Sequence, residues 1–549
     1  MHKLPGILLV ATLTACTGAV GGPAVGQDPE NPEEDTGTTV DPTDPDGGTE
    51  PTDSGTPGKD SGTPSTDTGT PSTDTAPPPP PPDPGPSGLP VMTNLAIKEV
   101  AFFQGVKVSV ARDGAKTTGL APVIAGREAL VRVFVEPMAG WSPRDVQGEL
   151  ALISASGTQH YTASLSVSAA STDASLGSTL NFNVPVGVLA NDTQYSVVLQ
   201  SKTGAPAAGD SSKARYPATG TEALPMKSTG EVLRVKIVPI QYGADGSNRL
   251  PDTSPAQIET YRRAFYAMYP AKQVEITVRA AYPYASAITA SGSGFSNALN
   301  AMVKLRQSDG APKDVYYYGA FAASSSFSSY CSGGCVTGLC GLLTSSADSV
   351  GRACVGVGFT GAQSANTAAH EIGHAHGRQH APCGTSGDAK YPYSGGSIGS
   401  WGYDLVGKKL FSPSGTKDFM SYCDPTWISD YTYAALATRM ATVNGAAMMF
   451  GTTTAPTRYR FVNVGAGATL SWGESMTLTD QPFGAPRDVV FDLGGGKTQT
   501  VTGYYYPYGD LEGGYLLVPE PTTGYSSIRV RDVVPSLDVR LAAPVAFAD

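Results

Sequence analysis

The sequence predicts a multidomain protein in which an α/β (α+β) domain lies between two all-β, sandwich-like domains, behind a disordered N-terminal stalk. Residues 16–90 contain almost nothing apolar to bury, which is typical of a disordered segment. Residues 91–230 and 451–549 contain short apolar or alternating segments between turn residues, which indicates strands. Residues 231–450 alternate strand-like and helix-like segments, which indicates an α/β layer with a mostly parallel sheet.

Residues 1–15 have the pattern of an export signal. Lys3 gives a basic start, and the apolar run that follows is too short to span a membrane. The residues Leu13-Thr14-Ala15-Cys16 resemble the bacterial lipobox, which implies cleavage before Cys16 and lipid attachment to its thiol. The alternative is an ordinary signal peptide with an incidental cysteine. We therefore expect an exported bacterial lipoprotein at the outer membrane, the cell surface or in the periplasm, or released outside the cell.

The low-complexity segment at residues 16–90 carries most of the charge. It is rich in Pro, Thr, Ser, Gly and Asp, so we expect an extended stalk that holds the folded part away from the membrane. Its 14 acidic residues and one Lys give a charge of −13, whereas the whole chain carries −11. Because the folded remainder is nearly neutral, nucleic acid is not an expected partner. We expect a monomer.

The β-like regions contain no catalytic pattern. In residues 91–230 the strand-like segments are 96–110, 129–135, 149–153, 179–184 and 195–200. Residues 451–549 resemble a second, smaller sandwich. The tyrosine-rich run at 504–508 could stack on sugars, but aromatic residues are also ordinary strand residues, and we favour that interpretation.

The α/β domain is predicted at residues 231–450. Its strand-like segments are 232–242, 274–278, 314–321 and 350–359, and its helices are 255–269, 295–305 and one that begins near 363. Ser254 is the expected N-cap of the first helix, with Gln257 closing a capping box. The long Gly, Ser and Tyr-rich loop at 381–417 is expected to shape a cleft or to pack as a loop.

Four of the six histidines lie in one stretch, residues 370–380, which reads HEIGHAHGRQH. His370 and His374 are four residues apart, so on a helix both imidazoles lie on one face and can bind one zinc ion. Gly377 can end the helix, because glycine adopts the required angles without strain, and His380 can then return as a third ligand. Three protein ligands leave one tetrahedral position open, which is typical of a catalytic zinc site.

This stretch matches the pattern H-E-x-x-H-x-x-G-x-x-H, which resembles the metzincin zinc metallopeptidases. A second motif, Asp418-Phe419-Met420-Ser421-Tyr422-Cys423, resembles the Met-turn of that clan. The resemblance implies that Met420 packs beneath the zinc and that Tyr422 contacts the zinc or stabilises the transition state. It also implies that residues 355–359 form an antiparallel edge strand, to which a protein or glycoprotein substrate adds as an extended strand. A β domain ahead of such a domain is similar to the architecture of mucin-cleaving bacterial metalloproteases.

The resemblance implies a surface-anchored or secreted zinc endopeptidase that hydrolyses extracellular proteins or glycoproteins. Zinc would lower the pKa of a water molecule from about 15.7 towards 7. Glu371 would take the proton as general base, and Tyr422 would hydrogen-bond the oxyanion. His376 faces away from the other histidines by helical geometry and is not an expected ligand. The alternative is a tethered adhesin or glycan-binding lipoprotein with an inactive peptidase-like domain.

Six of the seven cysteines lie within residues 331–423. An even number in an exported protein predicts three disulfides, and fifteen pairings are possible. The alternative is a second zinc ion bound by the cluster that begins at Cys331 and ends at Cys340. Cys383 follows the third histidine and Cys423 adjoins the Met-turn, so their pairing, one of many that remain open, would staple the site.

Overall fold

The computed structural model describes residues 88–202, 204, 208–230, 232–447, 455–534 and 537–544. The predicted export signal at 1–15, the predicted lipidation site at Cys16 and nearly all of the predicted stalk lie outside these residues. Within them the chain is mostly β-structure, with five α-helices. None of these five helices is both long and apolar enough to cross a membrane.

The N-terminal part of the described chain is built from strands in two larger sheets and one two-stranded sheet. The strands are β1 (Leu95–Phe103), β2 (Gly105–Arg112), β3 (Ala115–Lys116), β4 (Val123–Ile124), β5 (Ala129–Pro137), β6 (Arg144–Ser154), β7 (Gly157–Val167), β8 (Leu180–Val184), β9 (Gln194–Ser201), β10 (Arg215–Tyr216), β11 (Glu222–Ala223) and β12 (Met226–Lys227). One sheet contains the order β2-β1-β5-β8 and the other has the order β10-β9-β6-β7. The sheets share an apolar core, in which Phe102 of one meets Tyr195 of the other edge to face, with 6.0 Å between ring centroids.

The next part alternates strands and helices, as its sequence predicted. The strands are β13 (Val232–Tyr242), β14 (Gln273–Val278), β15 (Tyr282–Tyr284), β16 (Val315–Phe321), β17 (Gly338–Cys340) and β18 (Ala353–Val357), and the helices are α1 (Pro255–Met268), α2 (Phe295–Ser308), α3 (Phe327–Tyr330) and α4 (Ala362–Ala375). The sheet order is β14-β13-β16-β18-β17. All neighbouring pairs in this order are parallel except the last, so the sheet is mostly parallel, as expected.

The prediction that residues 355–359 form the edge strand of the sheet is wrong. Strand β18 is internal, because it pairs with β16 on one side and with β17 on the other. The antiparallel edge is β17, a three-residue strand in a Gly, Ser and Cys-rich stretch too short to show a strand pattern. A disulfide between Cys340 and Cys354 joins β17 to β18, which fixes this short strand to the sheet.

Half of the predicted capping box at α1 forms. The Ser254 hydroxyl accepts a hydrogen bond from the Gln257 backbone N–H at 3.3 Å. The Gln257 amide does not return to Ser254 but pairs with Gly361, donating to its carbonyl at 3.0 Å and accepting from its N–H at 2.7 Å. Gly361 is the N-cap of α4 and provides no capping side chain. The helix that carries the histidines is therefore capped by a side chain of α1.

Four short strands and a helix follow α4: β19 (Gly402–Asp404), β20 (Lys409–Phe411), β21 (Lys417–Asp418), β22 (Thr426–Trp427) and α5 (Asp430–Ala447). Strand β19 pairs with β2, so part of the loop expected at 381–417 extends the N-terminal sheet. The Trp427 indole N–H donates to the carbonyl of Gly105 at 2.7 Å. These contacts attach the N-terminal sheet to the segment that follows the histidine motif.

The C-terminal part forms one antiparallel sheet instead of the two sheets of the expected sandwich. Its strands are β23 (Thr457–Val464), β24 (Leu470–Leu478), β25 (Ala485–Gly494), β26 (Lys497–Pro507), β27 (Gly514–Pro519), β28 (Ser527–Val534) and β29 (Leu537–Ala542), in the order β24-β23-β27-β26-β25-β28-β29. The Trp472 indole on β24 donates to the Ala542 carbonyl on β29 at 2.6 Å, so the outer strands of the sheet meet. The sheet therefore curls around its own apolar core. The tyrosine-rich run lies mainly in β26, as the strand interpretation predicted.

Arg127 joins the N-terminal sheets to α1. Its buried guanidinium donates to the carbonyls of Tyr266, Tyr269 and Ala271, at 2.5, 2.7 and 2.6 Å. Carbonyls at and beyond a helix C-terminus lack intrahelical partners, and a cation there also interacts favourably with the helix dipole.

We expect Arg127→Ala to lower the free energy of unfolding by about 3 kcal/mol or more, because it leaves three buried carbonyls without a donor. Chemical denaturation measures this loss. The matched control is Arg215→Ala, because Arg215 is exposed and its guanidinium makes a long hydrogen bond, 3.4 Å, to the Gly220 carbonyl. We expect a change within about 0.5 kcal/mol for the control. Equal losses for the two variants would contradict the role of Arg127.

Candidate metal centre

Helix α4 and the turn after it bring the three predicted histidines together. His370 and His374 lie one turn apart on α4. Gly377 has a φ of +79° and its N–H donates to the His374 carbonyl at 2.8 Å, so the chain reverses there, as predicted. A Cβ at Gly377 would lie 2.7 Å from the carbonyl oxygen of Leu343, so this position also requires glycine for space. The reversal returns His380 to the helix face.

The three imidazoles have the spacing of zinc ligands. The Nε2 atom of His370 lies 3.2 Å from Nε2 of His374 and 3.2 Å from Nε2 of His380. Two nitrogens that each lie about 2.0–2.1 Å from one tetrahedral zinc ion are about 3.3 Å apart. The observed distances therefore fit a single ion between the three rings.

Hydrogen bonds on the far side of two rings fix which nitrogen faces the centre. Nδ1 of His370 donates to the Phe419 carbonyl at 2.8 Å, and Nδ1 of His374 donates to the Arg378 carbonyl at 2.6 Å. A carbonyl can only accept, so in the neutral rings the proton is on Nδ1 and the lone pair is on Nε2. The Nε2 lone pairs point at one another, which is repulsive unless a cation lies between them. The donor set therefore fits a bound metal ion.

The Met-turn residues support this arrangement from below. Met420 is fully buried, and a Cβ at Gly373 of α4 would overlap its sulfur, so the methionine packs directly against the helix. The buried Asp418 holds the turn, because its carboxylate accepts from the N–H groups of Met420 at 2.8 Å and Ser429 at 3.0 Å. The same turn presents the Phe419 carbonyl to His370. The structure thus places Met420 against the helix that carries His370 and His374.

Glu371 is buried beside the histidines. Its side chain fits because residue 338, on the edge strand β17, is glycine: a Cβ at Gly338 would overlap the Glu371 carboxylate. Its Oε2 atom finds no hydrogen-bond donor among the described residues. Burial, together with the nearby Asp510 carboxylate, raises the pKa of Glu371 well above its usual value. A carboxyl group with a raised pKa is suited to accept and return a proton.

A fourth potential ligand, Asp510, was missed by sequence reasoning. Its carboxylate lies 3.2 Å from Nε2 of both His370 and His380. Its other oxygen lies 3.5 Å from Nε2 of His374. No motif marks this residue, which follows His380 by 130 positions, so spacing could not have found it.

Tyr422 lies at the same centre. Its ring is 4.7 Å from the His380 ring, centroid to centroid, and its hydroxyl donates to Asp510 Oδ1 at 2.8 Å. The four ligand atoms of the histidines and Asp510 lie within 4.8 Å of one another. The structure therefore brings together every predicted site residue in the described chain, and adds one.

His376 is outside the cluster, as predicted. Its ring stacks on Tyr316 with 4.3 Å between centroids, and its Nδ1 donates to the Ile372 carbonyl at 2.8 Å. Burial lowers the pKa of His376 to about 3. It is a core residue of the α/β layer.

The six cysteines form three disulfides, as predicted: Cys331–Cys335, Cys340–Cys354 and Cys383–Cys423. The alternative of a second, cysteine-bound zinc ion is wrong, because these six sulfurs are all paired. The third disulfide joins the segment after His380 to the Met-turn, which is the pairing that sequence position had suggested.

A cavity of about 630 Å³ opens beside the centre. His370, Glu371, Tyr422 and Asp510 line one side of it. The remaining wall includes apolar side chains such as Met268 and Val336 and the backbone that leads into β17. A buried proton acceptor, a histidine cluster and an apolar cavity therefore share one site.

These features fit the metal centre of a metallopeptidase. Residues 279–461 match the family model Peptidase M66, which supports a metallopeptidase. The matched region contains the histidine motif and the Met-turn, but it ends before Asp510 and begins after the N-terminal sheets. No curated protein sequence matches the chain.

We expect His380→Ala to lower the affinity for zinc by more than about 100-fold, because it removes one of three converging nitrogens. Zinc content after dialysis against a weak chelator measures the loss. The matched control is His376→Phe, which retains the stack on Tyr316 and should keep the wild-type zinc content. Zinc loss in the control would place His376 among the ligands and contradict the assignment.

We expect removal of the Cys383–Cys423 disulfide by a double substitution to serine to cost about 4 kcal/mol of stability, because it closes a loop with a sequence separation of 40 residues. Removal of Cys331–Cys335, with a separation of 4, should cost about half as much. Denaturant unfolding of the two variants gives the comparison. A larger loss for the shorter loop would contradict the loop-entropy explanation.

Proposed function

We propose that this protein is a zinc-dependent endopeptidase of metzincin type, surface-anchored or secreted, that acts on extracellular proteins or glycoproteins. The observation that carries the proposal is the convergence of three histidine Nε2 atoms beside the buried carboxyl group of Glu371. The match to a metallopeptidase family over the same residues supports it. The six paired cysteines are consistent with an oxidising compartment outside the cytoplasm.

Each predicted residue has a defined task in peptide hydrolysis. His370, His374 and His380 hold the zinc ion, which supplies a Lewis acid that polarises a carbonyl group and activates water. Glu371 accepts the proton of the attacking water through its buried Oε atoms and delivers it to the leaving amine. The Tyr422 hydroxyl donates to the oxygen that becomes negatively charged in the transition state.

Substrate binding is proposed at the corrected sheet edge. Strand β17 ends the sheet next to Glu371, and an added strand would pair with the side of β17 that faces away from β18. An extended peptide that adds there would gain main-chain hydrogen bonds, with side-chain preference set by the neighbouring cavity. The lipid anchor at Cys16 and the stalk at 16–90 would keep this edge outside the cell.

One observation favours the alternative, an adhesin or glycan-binding lipoprotein with an inactive peptidase-like domain. Asp510 lies at the histidine cluster, and four protein ligands are typical of a closed, structural zinc site. The two functions predict different activities. A peptidase hydrolyses peptides and needs Glu371 to do so, whereas an inactive domain hydrolyses none.

We expect Glu371→Gln to retain zinc and to lower the hydrolysis of casein or of a glycoprotein substrate by about 10²–10⁴-fold, because the amide cannot accept the proton. Zinc content and the initial rate of cleavage, measured on the same preparation, separate binding from catalysis. The control is Glu136→Gln, whose carboxylate pairs with Lys98 on the exposed surface of the N-terminal sheets.

The control variant should cleave at the wild-type rate. Hydrolysis by Glu371→Gln at the wild-type rate would exclude the proposed mechanism. Zinc binding without peptide cleavage, in both the wild-type protein and the Asp510→Ala variant, would favour the adhesin.

A further inference from the structure

The connection between β26 and β27, residues Tyr508–Gly513, reaches from the C-terminal sheet into the metal centre. The Tyr508 N–H donates to the Gly513 carbonyl at 3.0 Å, so the six residues form a closed hairpin loop. We call this segment the β26–β27 loop. It is distant in sequence from the histidine motif, and nothing in the motif requires it.

The first half of this loop lies along the edge where a substrate strand is proposed to add. The Leu342 N–H donates to the Pro507 carbonyl at 2.8 Å, and the Gly509 N–H donates to the Cys340 carbonyl at 2.9 Å. Gly341 and Tyr508 form an antiparallel bridge between these two bonds. The start of the loop therefore pairs as an added strand with residues 340–342, at the end of β17. A bound peptide pairs with a sheet edge in the same way.

The centre of the loop is shaped to reach the histidines. A Cβ at Gly509 would overlap the His374 ring, so only glycine lets the backbone pass this close. The next residue, Asp510, has a side chain that is 7% exposed and points at all three imidazoles. The position of the Asp510 carboxylate therefore depends on Gly509, which lets the loop backbone pass close to His374.

Asp510 contacts four of the five side chains that the proposed hydrolysis requires. It faces the Nε2 atoms of the three histidines and accepts the hydrogen bond of the Tyr422 hydroxyl. The Nε2 lone pairs of His370 and His374 would repel a carboxylate, so this contact fits a cation held between the nitrogens and the oxygen. Aspartate oxygen is a normal zinc ligand, and a fourth protein ligand closes the position that water needs.

We propose that Asp510 is the fourth zinc ligand and that the β26–β27 loop is an inhibitory segment that occupies the place of the substrate. The inference rests on the proposed peptidase function, because it describes the regulation of the same site. Hydrolysis then requires the loop to leave the sheet edge, which frees one zinc position, the Tyr422 hydroxyl and the edge itself.

The opening can be confined to this loop. The C-terminal sheet has separate attachments to the α/β layer: the Tyr506 hydroxyl donates to Asp348 at 2.6 Å, and the Asn300 amide donates to Asn463 at 2.6 Å. These contacts lie outside Tyr508–Gly513. The sheet can therefore remain docked while the loop moves.

The test uses the full chain with Co²⁺ in place of zinc, and acetohydroxamate as a small ligand for an open metal position. The variants are Asp510→Ala, which removes the carboxylate, and Gly509→Val, which keeps the carboxylate but prevents the loop from seating against His374. The matched control is Glu512→Ala, in the same loop, where the side chain is exposed. The visible absorption of Co²⁺ is recorded during titration, and zinc-loaded samples are assayed for peptide cleavage.

We expect the first two variants to bind acetohydroxamate at least about 10-fold more tightly than wild type, because the open state no longer competes with a tethered ligand. Their cobalt spectra should also differ from wild type before any addition, whereas Glu512→Ala should match wild type. Peptide cleavage by the zinc forms should rise in the same two variants.

Equal acetohydroxamate affinity in wild type and in Asp510→Ala would overturn the inference. Loss of the metal from Asp510→Ala would overturn the inhibitory role of the loop, because Asp510 would then be needed to hold the ion. The spectral result decides the role of Asp510 by itself. If the spectra change as expected but no variant cleaves peptide, the ligand assignment stands and the peptidase function fails.

Discussion

The mutual repulsion of the Nε2 lone pairs of His370 and His374 is the constraint on which the rest of the site depends. The Nδ1 atoms of His370 and His374 are committed to backbone carbonyls, so their Nε2 atoms must face one another at 3.2 Å. This arrangement is unfavourable without a cation, so other interactions in the fold must hold the imidazole rings in place. The Phe419 carbonyl, the buried Asp418 and the disulfide after His380 hold the rings in this arrangement. Metal binding would offset the free energy of the lone-pair repulsion.

Space at the centre is controlled by glycines on four different segments. Gly373 admits the Met420 sulfur, Gly338 admits the Glu371 carboxylate, Gly377 permits the reversal to His380, and Gly509 permits the approach of a loop from the C-terminal sheet. Of these, only Gly377 requires a left-handed backbone. The other three are needed for space, because a side chain of the centre lies where their Cβ atom would be.

The features predicted correctly from sequence are those encoded by short-range spacing. Helical periodicity and one glycine were enough to place His370, His374 and His380 together, and the strand and helix bounds in the α/β layer agree within a few residues. The errors arise from long-range pairing. The edge strand β17 is three residues long and has no pattern of its own, and the C-terminal strands curl into one sheet because their ends meet. Asp510 depends on the docking of that sheet, which no local spacing records.

A tethered ligand has a large effective concentration, about millimolar or higher for a short connection, so a free peptide with equal contacts would not displace the β26–β27 loop. A substrate can displace it only through contacts that the loop does not make. The cavity of about 630 Å³ beside Asp510 offers such contacts, because it remains open while the loop is seated. A substrate side chain that fills this cavity would add apolar burial near Met268 before the Asp510 carboxylate leaves. The cavity would then determine which peptides open the site as well as which bond is cut.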